Sequence, residues 1–142
     1  MEHPWRTDPR LHGRFSPEFA DDLQVMIHDG GPRFSSLAPE VAWVRVEATR
    51  GFAFGGRLLN GPHALQSVRE GDFLLLLLAQ GAQFPLQTSE KYLAERAGWD
   101  IEPCDRCGLS ELFDAPSDLI RRIFPSAPPD ATLEMFTSFC PL

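Results

Sequence analysis

Apolar positions fall in short blocks punctuated by glycine, proline and asparagine, with a partial period of two before residue 90 and a helical period after it. Leu23, Val25, Met26 and Ile27 form a β-prone block that runs through His28 into Asp29-Gly30-Gly31-Pro32, a turn. Residues 41–48 mix β-branched and aromatic side chains, stop at Thr49-Arg50-Gly51, and are followed at once by 52–59. Two strands about a glycine-containing turn predict an antiparallel hairpin, and Gly55-Gly56 marks a bend or bulge in its second arm. Asn60-Gly61-Pro62 ends that arm. A turn over 68–72, with Gly71 free to take positive φ, feeds 73–79, an apolar run short enough to be a buried strand. Trp43, Val44, Val46, Leu58, Phe73, Leu75 and Leu77 are then expected to be mostly buried.

The flanks read differently. Residues 1–17 carry three prolines and no period, so they predict an irregular arm held by Trp5, Leu11 and Phe15. Pro85 confines 84–87 to an edge. Thr88 or Ser89 can cap a helix over 90–97, with Gly98 as its stop. A second helix has Asp114 as cap, Pro116 in its first turn, a stripe of Leu119, Ile120, Ile123 and Phe124, and Pro125 as its end. Residues 132–139 alternate well enough for a final strand. The fold class is therefore α+β: a small, strongly bent antiparallel β-barrel or rolled sheet, with a short helix and a C-terminal α/β tail. The division falls near residue 98, giving 1–98 as arm plus barrel and 99–142 as a tail with one helix, packed as one unit.

A length of 142 residues with 43% hydrophobic content supports one core. The longest apolar run, 73–79, is far shorter than the roughly 18–20 residues of a membrane span. The N-terminus lacks the basic-then-apolar layout of an export signal, so a cytoplasmic protein is expected. Net charge is -7, with eight basic and nine acidic residues in 1–70 but five and eleven in 71–142. That field opposes nucleic acid and anionic membrane surfaces, and Arg45, Arg50, Arg57 and Arg69 are too scattered to overcome it. A protein partner, basic in character, fits better.

Cysteine usage adds the one specific chemical pattern. Cys104 and Cys107 are spaced C-x-x-C between Pro103 and Gly108, and Cys140 stands before Pro141. Two thiolates at that spacing can hold one tetrahedral zinc from a tight turn, with Gly108 relieving the backbone near the second sulfur. The expectation is a structural zinc site of Cys104, Cys107 and Cys140, its fourth ligand a further cysteine in a chain that continues past Leu142, another group of the chain, or water. A dithiol redox pair and inert buried cysteines are the alternatives.

Other candidates have plainer explanations. His28-Asp29 could be a base beside its orienting carboxylate, but is better explained as a strand end and a turn. Trp43, Phe52, Phe54 and Phe73 could make an aromatic binding face, and core is the plainer role. Asp21, Asp22, Glu111, Asp114 and Asp118 fit turns and caps. No nucleophile elbow, phosphate loop, dinucleotide fingerprint or H-E-x-x-H motif is present, and no catalytic residue is assigned.

Glu40-x-x-Trp43-Val44-x-Val46, then Gly56-x-Leu58-x-Asn60-x-Pro62, then Gly71-Asp72 resembles a bacterial family of small β-barrel domains of unknown function, over about residues 20–80. Residues 103–125 and 135–142 further resemble members with a zinc-ribbon-like tail whose last knuckle is completed by another cysteine, before which this sequence stops. The resemblance implies a barrel with zinc in its tail and no established activity. Related domains among immunity proteins of bacterial toxin systems suggest an immunity or adaptor role, a zinc-stabilised protein-binding module. The alternative is an enzyme using the zinc or His28-Asp29.

Overall fold

A computed structural model describes residues 4–31, 33–51, 53–78, 82–98, 100–105, 109–126 and 135–137. Five strands follow one another around a closed barrel: β1 (Asp22–Ile27), β2 (Glu40–Arg50), β3 (Ala53–Leu58), β4 (Phe73–Leu77) and β5 (Leu86–Thr88). Successive neighbours are antiparallel, so the fifth strand runs parallel to the first, and Met26 opposite Leu86 closes the ring. The Met26 N–H donates to the carbonyl of Pro85 at 2.8 Å. Proline is tolerated at this seam because only its carbonyl is used.

The predicted hairpin is present, with β2 and β3 paired from Val44 opposite Leu58 to Arg50 opposite Ala53. Its bulge lies in the other arm from the glycines: Val46 faces Gly56 and Ala48 faces Gly55, leaving Glu47 as the extra residue of β2. The glycines supply room. A Cβ on Gly56 would lie 2.4 Å from Val44 Cγ1 and 2.6 Å from the Arg45 carbonyl oxygen, and one on Gly55 would enter the Phe73 ring at 2.3 Å. At the other end of β3, Gly71 takes φ +92°, and its N–H donates to the Leu58 carbonyl while Leu58 N–H donates to Asp72.

Leu23, Val25 and Ile27 of β1, Ala42, Val44 and Val46 of β2, Phe54 and Leu58 of β3, and Leu74 and Leu76 of β4 form the barrel core. Trp5 and Leu11 of the arm complete it, with Leu65 and Val68 from the loop before β4. Val44, Val46, Leu58 and Leu77 are buried as expected, but Trp43 is 38% exposed, Phe73 is 45% exposed and Leu75 only half-buried. Trp43 shares its face of β2 with Arg45 and Glu47. In β4 the inward residues are Leu74 and Leu76, one position out of phase with the expectation.

Beyond the barrel come α1 (Glu90–Glu95), a 3-10 turn (Arg96–Gly98), β6 (Asp100–Glu102), α2 (Pro116–Ile123) and β7 (Met135–Thr137). The last is the part of the expected 132–139 strand that lies within the described residues, and it pairs parallel with β6. Ser89 rather than Thr88 caps α1, its Oγ accepting Tyr92 N–H at 3.1 Å. Asp114 does not cap α2. The cap is Ala115 without a side-chain bond, and Asp114 instead accepts Gly31 N–H at 2.8 Å from across the chain. Burial pushes the Asp114 carboxyl above its ordinary value, against the lowering effect of that bond.

This segment seals one side of the barrel. Leu77 packs with Tyr92, Leu112 and Leu119, while Met26 and Leu86 pack with Cys104, Leu109 and Phe113. Glu111 is a buried anchor here, neither turn nor cap. It accepts the Tyr92 hydroxyl at 2.7 Å and receives the Arg96 guanidinium on both oxygens, while Leu112 N–H donates to the Tyr92 oxygen at 2.8 Å. Desolvation pushes the Tyr92 hydroxyl far above its usual range, so it stays a donor. No helix among the described residues is long and apolar enough to cross a membrane.

Candidate functional site

The outward face of β2, beside the covered side, stays open among the described residues. Outward positions of β2 are Val41, Trp43, Arg45 and Glu47, all exposed. The chain enters β1 through a turn in which Ser16 N–H donates to the Asp22 carbonyl at 2.7 Å and Asp22 N–H to that of Phe19 at 3.1 Å. That turn leaves Phe19 54% exposed beside β2. Trp43 is pinned through its backbone: its N–H donates to Asn60 Oδ1 at 2.7 Å, and its carbonyl accepts Leu59 N–H at 2.8 Å. Between these elements lies a groove of about 460 Å³, lined by Pro17, Glu18, Phe19, Trp43, Leu59 and Asn60 together with Ser16 and Asp22.

Its polar groups are unequally committed. Asp22 is held by Arg45 through two bonds, at 2.8 and 3.1 Å. Asn60 Oδ1 is taken by Trp43 N–H, and Ser16 Oγ accepts Glu18 N–H at 3.2 Å. Among the described residues the Glu18 carboxylate has no partner, and no cation lines the groove. Three of the four scattered arginines face carboxylates: Arg45 pairs with Asp22, Arg50 with Glu90 and Arg57 with Glu47. Asp21, expected in a turn, accepts the Trp5 indole at 2.8 Å and the Arg6 guanidinium. Asp118 lies in the first turn of α2 and also pairs with Lys91.

Of the four aromatic candidates, Phe54 is core, Trp43 and Phe73 are outside, and Phe52 lies outside the described residues. Phe73 covers Gly55 and stacks under Arg57, whose guanidinium carbon is 5.5 Å from the ring centre, away from the groove. Nothing in the sequence marks Phe19, Leu59 and Asn60 as groove residues, because each stands in a turn or at a strand end, where no period sets its direction.

His28 and Asp29 do not act on each other as base and orienting carboxylate. His28 is buried, stacked on Phe113 at 4.4 Å; its Nδ1 accepts Gly30 N–H at 2.9 Å and its Nε2 lies 2.8 Å from the Gln87 carbonyl. That arrangement assigns the proton to Nε2 and a neutral ring, and burial holds the pKa below its ordinary value. Asp29 points to another loop, accepting Gln66 N–H, Ser67 N–H and the Ser67 hydroxyl. Burial raises its carboxyl, but those bonds outweigh it and leave the pKa lowered. Glu40 does the same for His63, Ala64 and Leu65, and those amides hold its carboxyl low.

Cys104 is buried against Met26, Leu86, Leu109 and Phe113, and its N–H donates to the Leu109 carbonyl at 2.9 Å, closing a short loop. Cys107 and Cys140 lie outside the described residues. The parallel ladder places Glu102 opposite Thr137. The C-terminal ends of β6 and β7 therefore lie side by side. No group of three or more metal-ligating side chains occurs among the described residues. Compared with protein-family models, curated proteins and solved structures, the chain matches none.

Proposed function

We propose that this protein is a non-enzymatic binding module for a basic protein segment, with a C-terminal tail fastened by a structural zinc at Cys104, Cys107 and Cys140. The observation that carries the binding role is the open groove: Phe19 and Trp43 stand exposed side by side, next to a carboxylate that no cation pairs with among the described residues. An exposed aromatic pair rimmed by acid suits a partner that brings aliphatic or aromatic surface together with lysine or arginine. The surplus acidity of the second half adds a favourable long-range field for such a partner. An immunity or adaptor protein is the class such a module would serve, on the strength of the family resemblance. Nucleic acid and membrane are not its partners on this proposal, and its place is the cytoplasm.

Zinc is supported by the C-x-x-C spacing and by the side-by-side C-terminal ends of β6 and β7, which precede Cys104 and Cys140 in the sequence. Bound zinc would tie residues 104–109 to the segment after β7, a closure worth on the order of 10 kcal/mol in small zinc units. Elemental analysis of the purified full-length chain tests it directly: one zinc per chain, lost in Cys104→Ser, is expected, and absence of metal at any purity removes the site. For the partner, an array of basic-apolar, acidic-apolar and neutral peptides should retain the protein mainly on the basic-apolar set. Retention should fall in Phe19→Ala and Trp43→Ala. Equal retention on acidic peptides, or indifference to both substitutions, overturns the binding proposal.

A further inference from the structure

The polar groups of the groove narrow the ligand further, on the premise that it is a protein-binding site. Its spare hydrogen-bonding capacity is on the donor side. Among the described residues the Trp43 indole N–H and the Asn60 side-chain amide have no partner, whereas Asn60 Oδ1 and Ser16 Oγ are already accepting backbone N–H groups and Asp22 is held by Arg45. Glu18 is the acceptor left, and it is charged. A segment lying here should therefore present carbonyl oxygens, have few backbone N–H groups to strand against apolar walls, and carry a cation.

We infer that the groove takes a proline-rich segment in polyproline II conformation with an arginine or lysine beside it. Such a segment has no internal hydrogen bonds, so every carbonyl is available to the indole and the carboxamide, and each proline removes one donor from the list. Proline rings pack well on aromatic faces, here Phe19 and Trp43, and the volume of about 460 Å³ suits roughly one turn, about three residues, of that helix. Its flanking cation would meet Glu18. The competing modes fit less well. Strand addition needs an open sheet edge, and this barrel is closed at Met26 and Leu86. An amphipathic helix needs anchor sites spread over two turns, about 11 Å, with a wide trough between them.

The test follows the Trp43 indole and Asn60 carboxamide signals in nitrogen-15 spectra of the full chain, with the indole assigned by Trp43→Phe. Three nine-residue probes are titrated: three repeats of Pro-Pro-Arg, of Gly-Gly-Arg and of Pro-Pro-Glu. The Pro-Pro-Arg probe should move both signals and bind at least about tenfold more tightly than the glycine probe, because its backbone is already ordered. The glutamate probe should bind most weakly. Glu18→Gln should weaken the arginine probe about threefold and flatten its salt dependence. Phe19→Ala, an exposed site whose loss should leave the fold intact, should weaken it about tenfold. Equal affinity for the two arginine probes overturns the proline inference and leaves the basic-partner proposal standing. Failure of both to move the groove signals overturns both.

Discussion

Met26 and Val41 face each other in adjacent strands, both with side chains outside the barrel, yet one is buried and the other 43% exposed. The difference is a second layer. Over Met26, Leu86 and Leu77 the chain returns with Cys104, Leu109, Phe113, Tyr92, Leu112 and Leu119; over Val41 and Trp43 nothing within the described residues returns. An outward apolar residue is thus core or contact surface according to what covers it, and the strand pattern is the same in either case. The cover is also locked by polar bonds, Glu111 to Tyr92 and Arg96 and Asp114 to Gly31, whereas the open groove keeps donors and a carboxylate in reserve.

Replacing both of the facing residues breaks or sharpens that contrast most strongly. Met26→Ser should cost about 2–4 kcal/mol, as a core truncation does, and Val41→Ser under about 0.5 kcal/mol, both read from urea unfolding midpoints. Similar costs would mean that the open face is covered after all. On the glycine pair of β3, Gly56→Ala should cost about 1–3 kcal/mol, because the new carbon meets the Arg45 backbone. Gly55→Ala meets the ring of exposed Phe73, which can swing aside, so it should cost less by the same measurement.

The covered side also carries a pH dependence of its own. His28 is held neutral with its pKa depressed, so its contribution is present above about pH 6.5 and is lost as pH falls through the lower folded value. Stability should therefore decline as pH falls below about 6.5 in the parent and decline less in His28→Gln. Asp29 and Glu40, with lowered carboxyls, add their losses only at more acid pH; Asp114, with a raised one, gains as pH falls. A small effect of the opposite sign is expected at Thr88, whose hydroxyl is buried without a hydrogen-bond partner among the described residues. Thr88→Val should be neutral or stabilising by up to about 1 kcal/mol in thermal unfolding.

Legibility in the sequence tracked how local each determinant is. The hairpin over 41–59, the Gly71-Asp72 turn and the Ser89 cap are written in neighbouring residues and could be read there, whereas Pro85 pointed to an edge and the strand after it is paired on both sides. The direction of Trp43 was also available: it alternates in step with Arg45 and Glu47, and a tryptophan sharing parity with two charges on one strand points outward. The phase of β4 was not, since Phe-Leu-Leu-Leu-Leu contains no polar residue to mark a face. Asp114 and Glu111 went to partners in distant segments, Gly31 and Tyr92, which spacing along the chain cannot reveal. The groove has the same origin, assembled from a turn, a strand and a strand end.

The seam that shuts the barrel has a kinetic consequence. Each other strand pair of the barrel joins strands consecutive in the chain, so those ladders can zip in order from β1 to β5. The Met26–Leu86 contact joins residues 60 apart and does so through one residue pair, so its loop-closure cost falls due only after the meander has formed. The seam should therefore be among the last contacts made in folding and the first lost in unfolding. A weakened seam, as in Leu86→Ala, would then leave the folding rate nearly unchanged while shortening the lifetime of the closed ring.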